Sequence, residues 1–384
     1  MQAAMKDTLT KVIAPIGKAS GLPNAFYTDA ALHEAERTRI FQQGWCAVGF
    51  GKDVAEAGAA WPVEFLGMPL LIVKDQANRV RVFQNVCRHR GMILVDKPKQ
   101  LSGLIRCPYH SWCYELSGQL RATPHVGGPG NNVHDDVDRS KLGLIEVRSH
   151  VWMDVVFMNV SGTAPDFQTH AADLIARCAE FGGVKLYHGG PDSSFSLELK
   201  TNWKLAVENY CESYHLPWVH PGLNSYSRLE DHYNMVEASF SGQGTKVYNL
   251  GPGPNGQRFS KFAGLSAKWQ TGAEYPSFFP NLLFGFQNDH YFAILIEPKG
   301  AGHCVEHVEI YYSDADMTSE AYAGMRARNT AMWKGIFVED IAVVEGMQRG
   351  RQAPGFDGGK FSPVMDPPTH RFHQWVAQRF LAAA

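Results

Sequence analysis

Between residues 29 and 43 the small or apolar positions Ala31, Leu32, Ala35 and Ile40 recur at helical spacing among Glu34, Glu36 and Arg37, and Gly44 stands where such a helix would stop. From Trp45 to about residue 160 the texture changes to short runs rich in β-branched and aromatic residues, at 69–73, 79–86, 104–106 and 151–160. Ala77-Asn78, Ser117-Gly118 and Gly127-Gly128-Pro129-Gly130 punctuate them as turns. This pattern predicts a small all-β domain.

After Ala164-Pro165 a helical piece over 169–180 precedes strand-like runs at 195–200, 281–286, 291–297 and 303–312. A long helical pattern follows, opening at Ser319 as an N-cap and running to about Gly350. Strands followed by a helix predict an α+β domain, an antiparallel sheet with a long helix packed on one face. The stretch Gly251-Pro252-Gly253-Pro254-Asn255-Gly256 reads as a loop and a candidate lid. The expected division is an N-terminal helical segment over 1–44, the all-β domain over 45–160 and the α+β domain over 165–384.

With 384 residues, 45% of them hydrophobic and 19% charged, the chain has enough apolar material for two or three packed domains without disulfides. Thirty-six basic against 38 acidic residues leave a formal charge of −2, which excludes a global field favouring nucleic acid or an anionic membrane. The first 25 residues lack a signal-peptide core, and no run of 18 uncharged apolar residues occurs, so a cytoplasmic protein outside the membrane is expected. Seven cysteines, an odd number in so long a chain, suit reduced thiols better than a disulfide framework.

Two constellations carry chemistry. In the all-β region Cys87-Arg88-His89-Arg90-Gly91 is followed by Cys107-Pro108-Tyr109-His110, so two loops each offer one thiolate and one imidazole. Such a set can hold a zinc ion, or a [2Fe–2S] cluster with two cysteines on one iron and two histidines on the other. The mixed loops favour the cluster, because common Cys2His2 zinc sites keep both cysteines in one loop and both histidines in another. Gly91 and Pro108 are expected to make the tight turns. Cys113 reads as a buried apolar thiol. Imidazole ligation would raise the cluster potential to roughly −150 to +300 mV, from about −400 mV for an all-cysteine centre, which makes it a one-electron relay.

The second constellation lies in Glu208-Asn209-Tyr210-Cys211-Glu212-Ser213-Tyr214-His215-Leu216-Pro217-Trp218-Val219-His220. Histidines five apart would stand about 140° apart on an ideal helix, but Pro217 breaks the helix between them and lets His220 swing back. Glu212, three before His215 on the same face, can accept a hydrogen bond from its outer nitrogen. Two histidines need a carboxylate to complete a facial triad on non-heme Fe(II). Asp340 is the candidate, since it shares an otherwise apolar helix face with Val343, Val344 and Met347, while Glu339 and Glu345 are expected to point elsewhere.

These residues together resemble the catalytic α subunits of Rieske non-heme iron oxygenases, the family that includes aromatic ring-hydroxylating dioxygenases. The likeness covers nearly the whole chain: the Cys-x-His and Cys-x-x-His loops, Asn202-Trp203-Lys204, the Glu208 to His215 run, and Glu339-Asp340 ahead of Gln348-Arg349-Gly350. The resemblance implies a Rieske domain whose cluster sits on Cys87, His89, Cys107 and His110. It implies a C-terminal helix-grip domain holding mononuclear Fe(II) through His215, His220 and Asp340, with Asn209 close to the open iron position. It further implies a head-to-tail homotrimer in which Glu212 bridges the iron of one subunit to the cluster of its neighbour. Electrons would come from NADH or NADPH through a separate reductase carrying flavin and a ferredoxin-type centre.

Ring-hydroxylating members usually carry Asp at the bridge. Glu212 makes the chain look closer to members that oxidise choline, glycine betaine, carnitine or stachydrine, so the expected reaction is O2-dependent hydroxylation or N-demethylation of a small quaternary or N-methyl ammonium compound. Aromatic faces can hold such a cation, and Tyr210, Tyr214, Trp218, Phe284, Phe286, Tyr291 and Phe292 are the candidates. An aromatic substrate is the competing reading within the class. A zinc-stapled protein that binds a ligand without chemistry is the competitor from outside it.

Overall fold

The β-rich runs of the first half pair into a seven-stranded antiparallel sheet. Its order is Cys46–Phe50, Val155–Asn159, Glu146–Trp152, Val80–Gln84, Met68–Lys74, Ala59–Phe65 and Lys99–Gln100. The structure is a computed structural model that describes residues 2–248 and 256–382, so residues 251–255 of the expected loop lie outside the described residues. The run 151–160 is not one strand: Met153 and Asp154 take φ of 50° and 60° and turn the chain back on itself. A two-residue hairpin needs left-handed residues, and Met153 hides that signal because it lacks the usual Asn or Gly.

A second, three-stranded sheet joins Leu104–Arg106, Cys113–Glu115 and Leu120–Ala122. Leu71, Val73, Phe83, Ile105 and Tyr114 form one core with Cys87 and Cys107. Together these elements make one compact unit over Gln43–Ala164.

The other unit combines Met1–Gln42 with Pro165–Ala384, so the N-terminal helical segment folds with the α+β region. Its antiparallel sheet runs Tyr187–His188, His303–Tyr312, His290–Gly300, Leu282–Phe286, Ala273–Phe278, Phe240–Thr245 and His232–Val236, and Ser194–Leu199 also pairs with His303–Tyr312. The strand Phe240–Thr245 escapes sequence reading because it carries two glycines. A Cβ at Gly242 would stand 2.3 Å from the Tyr275 carbonyl oxygen, and one at Gly244 would stand 2.6 Å from the Tyr233 ring, so these glycines serve close packing rather than a turn.

Three helices position the site, α1 (Trp203–Tyr210), α2 (Leu216–Val219) and α3 (Ala323–Gly350), while α4 (Pro367–Leu381) packs on the strands Phe240–Thr245 and His232–Val236. Helix α1 packs on the strands His290–Gly300 and Ala273–Phe278, and α3 packs against α1 and Ser194–Leu199. The Asn202 side chain caps α1 by accepting from Lys204 N at 3.1 Å. Lys204 itself is fully buried and ion-paired to buried Glu36, which also accepts from Trp203 Nε1 at 2.8 Å. Removing either charge of such a pair strands the other in the interior, so α1 is held firmly where it carries Asn209. Ser319 precedes a short 3-10 turn over Glu320–Tyr322, and α3 begins only at Ala323. Among the described residues no helix is long and apolar enough to cross a membrane.

Candidate metal centres

The two Cys/His loops share one construction. Cys87 N donates to Met92 O at 2.8 Å and Gly91 N to Cys87 O at 3.1 Å; Cys107 N donates to Trp112 O at 2.8 Å and Ser111 N to Cys107 O at 3.1 Å. The tight position is left-handed in both, at Gly91 (φ 76°) and Ser111 (φ 57°). Ser111, and not Pro108, is therefore the counterpart of Gly91.

Both thiols are buried, at 2% exposure, whereas His89 is exposed and His110 half-buried. The imidazole centroids stand 4.8 Å apart, and the His89 ring stacks on Trp112. Tyr114 Oη accepts from Arg88 N at 2.9 Å, so its own proton points to Cys87 Sγ at 3.2 Å. Burial raises the Cys87 thiol above its ordinary value, and the neighbouring Cys107 adds to this against the pull of Tyr114. Cys87 therefore resists ionising unless a cation joins it, and the buried Cys107 sulfur stands beside it, which fits an inner iron. His110 Nδ1 is buried without a hydrogen-bond partner among the described residues, so its lone pair is free to bind a cation, which fits an outer iron. Cys113 Sγ donates to Ser111 O at 3.1 Å, as a structural thiol would.

In the other unit α1 ends at Tyr210, so the break falls over 211–215, ahead of Pro217, which opens α2. His215 and His220 flank α2 as its N-cap and C-cap residues. Their rings come to 5.1 Å, and one ligand atom from each of His215, His220 and Asp340 falls within 4.8 Å of the others. Asp340 Oδ1 lies 3.0 Å from His220 Nε2 and 3.6 Å from His215 Nε2. Among the described residues this is the set of three that closes so tightly.

The outer nitrogens are also engaged. His215 Nδ1 is 2.7 Å from Glu212 Oε1, a contact made across the turn and not along a helix face. His220 Nδ1 is 2.7 Å from Glu339 Oε2, so Glu339 does not point away from the site. Glu345 does, accepting from Lys200 N at 3.1 Å. Asn209 Nδ2 donates to Asp340 Oδ1 at 3.1 Å. Burial disfavours charge on His220, yet Asp340 and Glu339 outweigh it and hold the imidazole above its ordinary value, so the gap between Nε2 and Oδ1 favours a positive species. The arrangement suits a divalent metal with Nε2 ligation and outward-facing carboxylates.

Beside these groups lies a pocket with an aromatic wall of Tyr210, Tyr275, Phe292, Trp333 and Phe337. Of the aromatic candidates from sequence, Tyr210 and Phe292 line it; Phe284, Phe286 and Tyr291 are buried core, and Tyr214 and Trp218 are exposed at 44% and 72%. Trp333, Phe337 and Asp340 stand at helical spacing on α3, a signal that the long pattern of α3 already contained. Ser227, His232 and Gln243 form a polar side of the same pocket. Burial lowers His232 below its ordinary value.

A family model described as the catalytic domain of the ring hydroxylating alpha subunit matches residues 189–382, and one described as the Rieske [2Fe-2S] domain matches residues 44–135. The chloroplastic choline monooxygenase of Atriplex hortensis is 25% identical, over 98% of this chain and 82% of that protein. The carnitine monooxygenase oxygenase subunit of Escherichia coli K12 is 26% identical, over 94% of this chain and 93% of that protein. A solved structure of a quaternary ammonium Rieske monooxygenase, concerned with carnitine oxidation and inter-subunit electron transfer, shares the fold with a TM-score of 0.77 at 23% identity, over 96% of this chain and 97% of its own. The chain belongs to the ring hydroxylating alpha subunit family, with a Rieske [2Fe–2S] domain ahead of its catalytic domain.

Proposed function

We propose that the chain is the oxygenase component of a two-component monooxygenase that uses O2 to hydroxylate or N-demethylate a small quaternary or N-methyl ammonium compound of the betaine, choline or carnitine type. The observation that carries this reading is the convergence of His215, His220 and Asp340 beside an aromatic pocket whose described lining holds acids but no lysine or arginine. The cluster ligands are Cys87, His89, Cys107 and His110. When bound, the two metal centres supply oxygen activation and one-electron delivery.

The protein's own groups prepare the site. Glu212 and Glu339 fix the tautomers of His215 and His220 so that each presents Nε2 inward, and Asn209 holds the Asp340 carboxylate in place. Tyr275, Phe292 and Trp333 exclude water and offer faces to an ammonium group, each contributing about 0.5 to 2 kcal/mol.

Electrons are assigned to NAD(P)H through a separate flavin and ferredoxin-type reductase. The assembly is assigned as a homotrimer in which Glu212 meets the cluster side of a neighbouring chain. Exposed apolar side chains support such cover: Tyr214 and Trp218 flank the His215 turn, while Met92 at 41% and Tyr109 at 55% flank the cluster loops.

Oxygen uptake by the reduced protein tests the reading against a panel of choline, glycine betaine and carnitine on one side and benzoate and naphthalene on the other. Uptake coupled to oxidation of an ammonium compound is expected. Coupling to the arenes alone would overturn it.

A further inference from the structure

The polar side of the pocket is wired in one direction. His232, on the strand His232–Val236, hydrogen-bonds through Nδ1 to Gln243 Oε1 on the adjacent strand Phe240–Thr245, and its Nε2 is 2.9 Å from Ser227 Oγ. An amide oxygen only accepts, so Nδ1 carries the proton; in the neutral ring Nε2 then accepts from the Ser227 hydroxyl. Both imidazole nitrogens and the amide oxygen are thereby used. What Gln243 has left is its amide NH2, on a side chain only 8% exposed that lines the pocket and has no acceptor for that group among the described residues. Across the sheet register Gln243 sits opposite Tyr275 of the aromatic wall.

The charges in the pocket narrow what the amide can receive. Its described lining includes Glu212 and Asp340 and neither lysine nor arginine. With a divalent ion on the His215, His220 and Asp340 set, the two acids and the ion cancel, and a ligand carboxylate would meet no net positive charge.

We infer that Gln243 is a specificity residue that selects an uncharged acceptor, a hydroxyl or carbonyl oxygen, on a substrate whose ammonium group lies against Tyr275, Phe292 and Trp333. This rests on the proposed ammonium oxygenase reading and deepens it: the site takes a cationic amino alcohol in preference to a betaine carboxylate. An ammonium compound without any acceptor leaves the buried amide unpaired and is discriminated against on that ground.

The test measures kcat/KM by oxygen uptake with the reduced, metal-loaded protein for choline, glycine betaine and ethyltrimethylammonium, in the wild type and in Gln243→Met. In the wild type choline is expected to exceed both others by about tenfold or more. In Gln243→Met its advantage over ethyltrimethylammonium should fall to about one, through KM. Gln243→Asn, which keeps a shorter amide, should restore part of it and serves if the methionine variant does not fold. A wild type that prefers glycine betaine, or variants that keep the choline advantage, would overturn the inference while leaving the oxygenase reading in place. If no ammonium compound drives oxygen uptake, the reading itself fails and takes this inference with it.

Discussion

Glu339 Oε2 lies 2.7 Å from His220 Nδ1, while the next residue, Asp340, faces Nε2 of the same ring at 3.0 Å. Consecutive acids on α3 thus grip one imidazole from its two ends, one as a positioning group and one as a proposed ligand. Removing the positioning acid frees the ring and its tautomer without touching a ligand atom. Glu339→Ala is expected to weaken Fe(II) or Co(II) binding by about 10- to 100-fold. Gln can still accept from Nδ1–H, so Glu339→Gln should recover part of the affinity. Metal titration followed by optical spectroscopy measures this, and equal affinity in all three proteins would contradict it.

Tyr114 supplies the corresponding control at the cluster loops, since its hydroxyl accepts from Arg88 N and donates toward Cys87 Sγ. A hydrogen bond to a ligating sulfur stabilises the electron-rich reduced state, so Tyr114→Phe should lower the cluster's reduction potential. The variant also strands the Arg88 N–H, at a cost of about 1–3 kcal/mol in stability. Potentiometry and thermal unfolding read the two effects separately. An unchanged potential would show that the hydroxyl does not act on the sulfur.

His170 gives the catalytic unit a pH-sensitive weak point. Burial, with a contribution from Arg379, lowers its pKa from 6.5 to about 4, and its Nε2 has no hydrogen-bond partner among the described residues. The folded state therefore holds His170 neutral where the unfolded chain takes up a proton. Its contribution to stability is complete above pH 6.5 and is lost as the pH falls through the folded value near 4. The loss is on the order of 3 kcal/mol at 1.4 kcal/mol per unit. His170→Phe, packing on Phe278, should flatten the dependence of stability on pH across that window. Denaturant unfolding at pH 7, 5.5 and 4.5 checks this, and an unaltered slope would assign it to other groups.

The site was legible in sequence where chemistry forces residue type, and illegible where packing decides. Cys87, His89, Cys107 and His110 stand out because few folds need mixed thiol and imidazole loops, and Asp340 stands out as an acid on an apolar helical face. Glu339 was assigned elsewhere because a face drawn from apolar spacing ignores that a long side chain can reach across a turn. Gln243 and Tyr275 lie on strands whose β signal is diluted by Gly242, Gly244 and Pro276, so neither strand was read. Helix α4 has no counterpart in the sequence reading, which names no element after Gly350; its Pro367 and Pro368 occupy the first helical turn, where a missing N–H costs nothing.

The central claim is that one chain holds two separate metal centres on two separate sets of side chains. Counting iron and acid-labile sulfide in the wild type, Asp340→Ala and Cys87→Ser tests it most directly. The wild type should hold about three irons and two sulfides per chain, for a [2Fe–2S] cluster plus one mononuclear ion. Asp340→Ala should lose the single iron and keep the sulfide and the visible absorption of the cluster; Cys87→Ser should lose the sulfide and keep the lone ion. A colourless wild-type protein containing zinc and no sulfide would contradict the account.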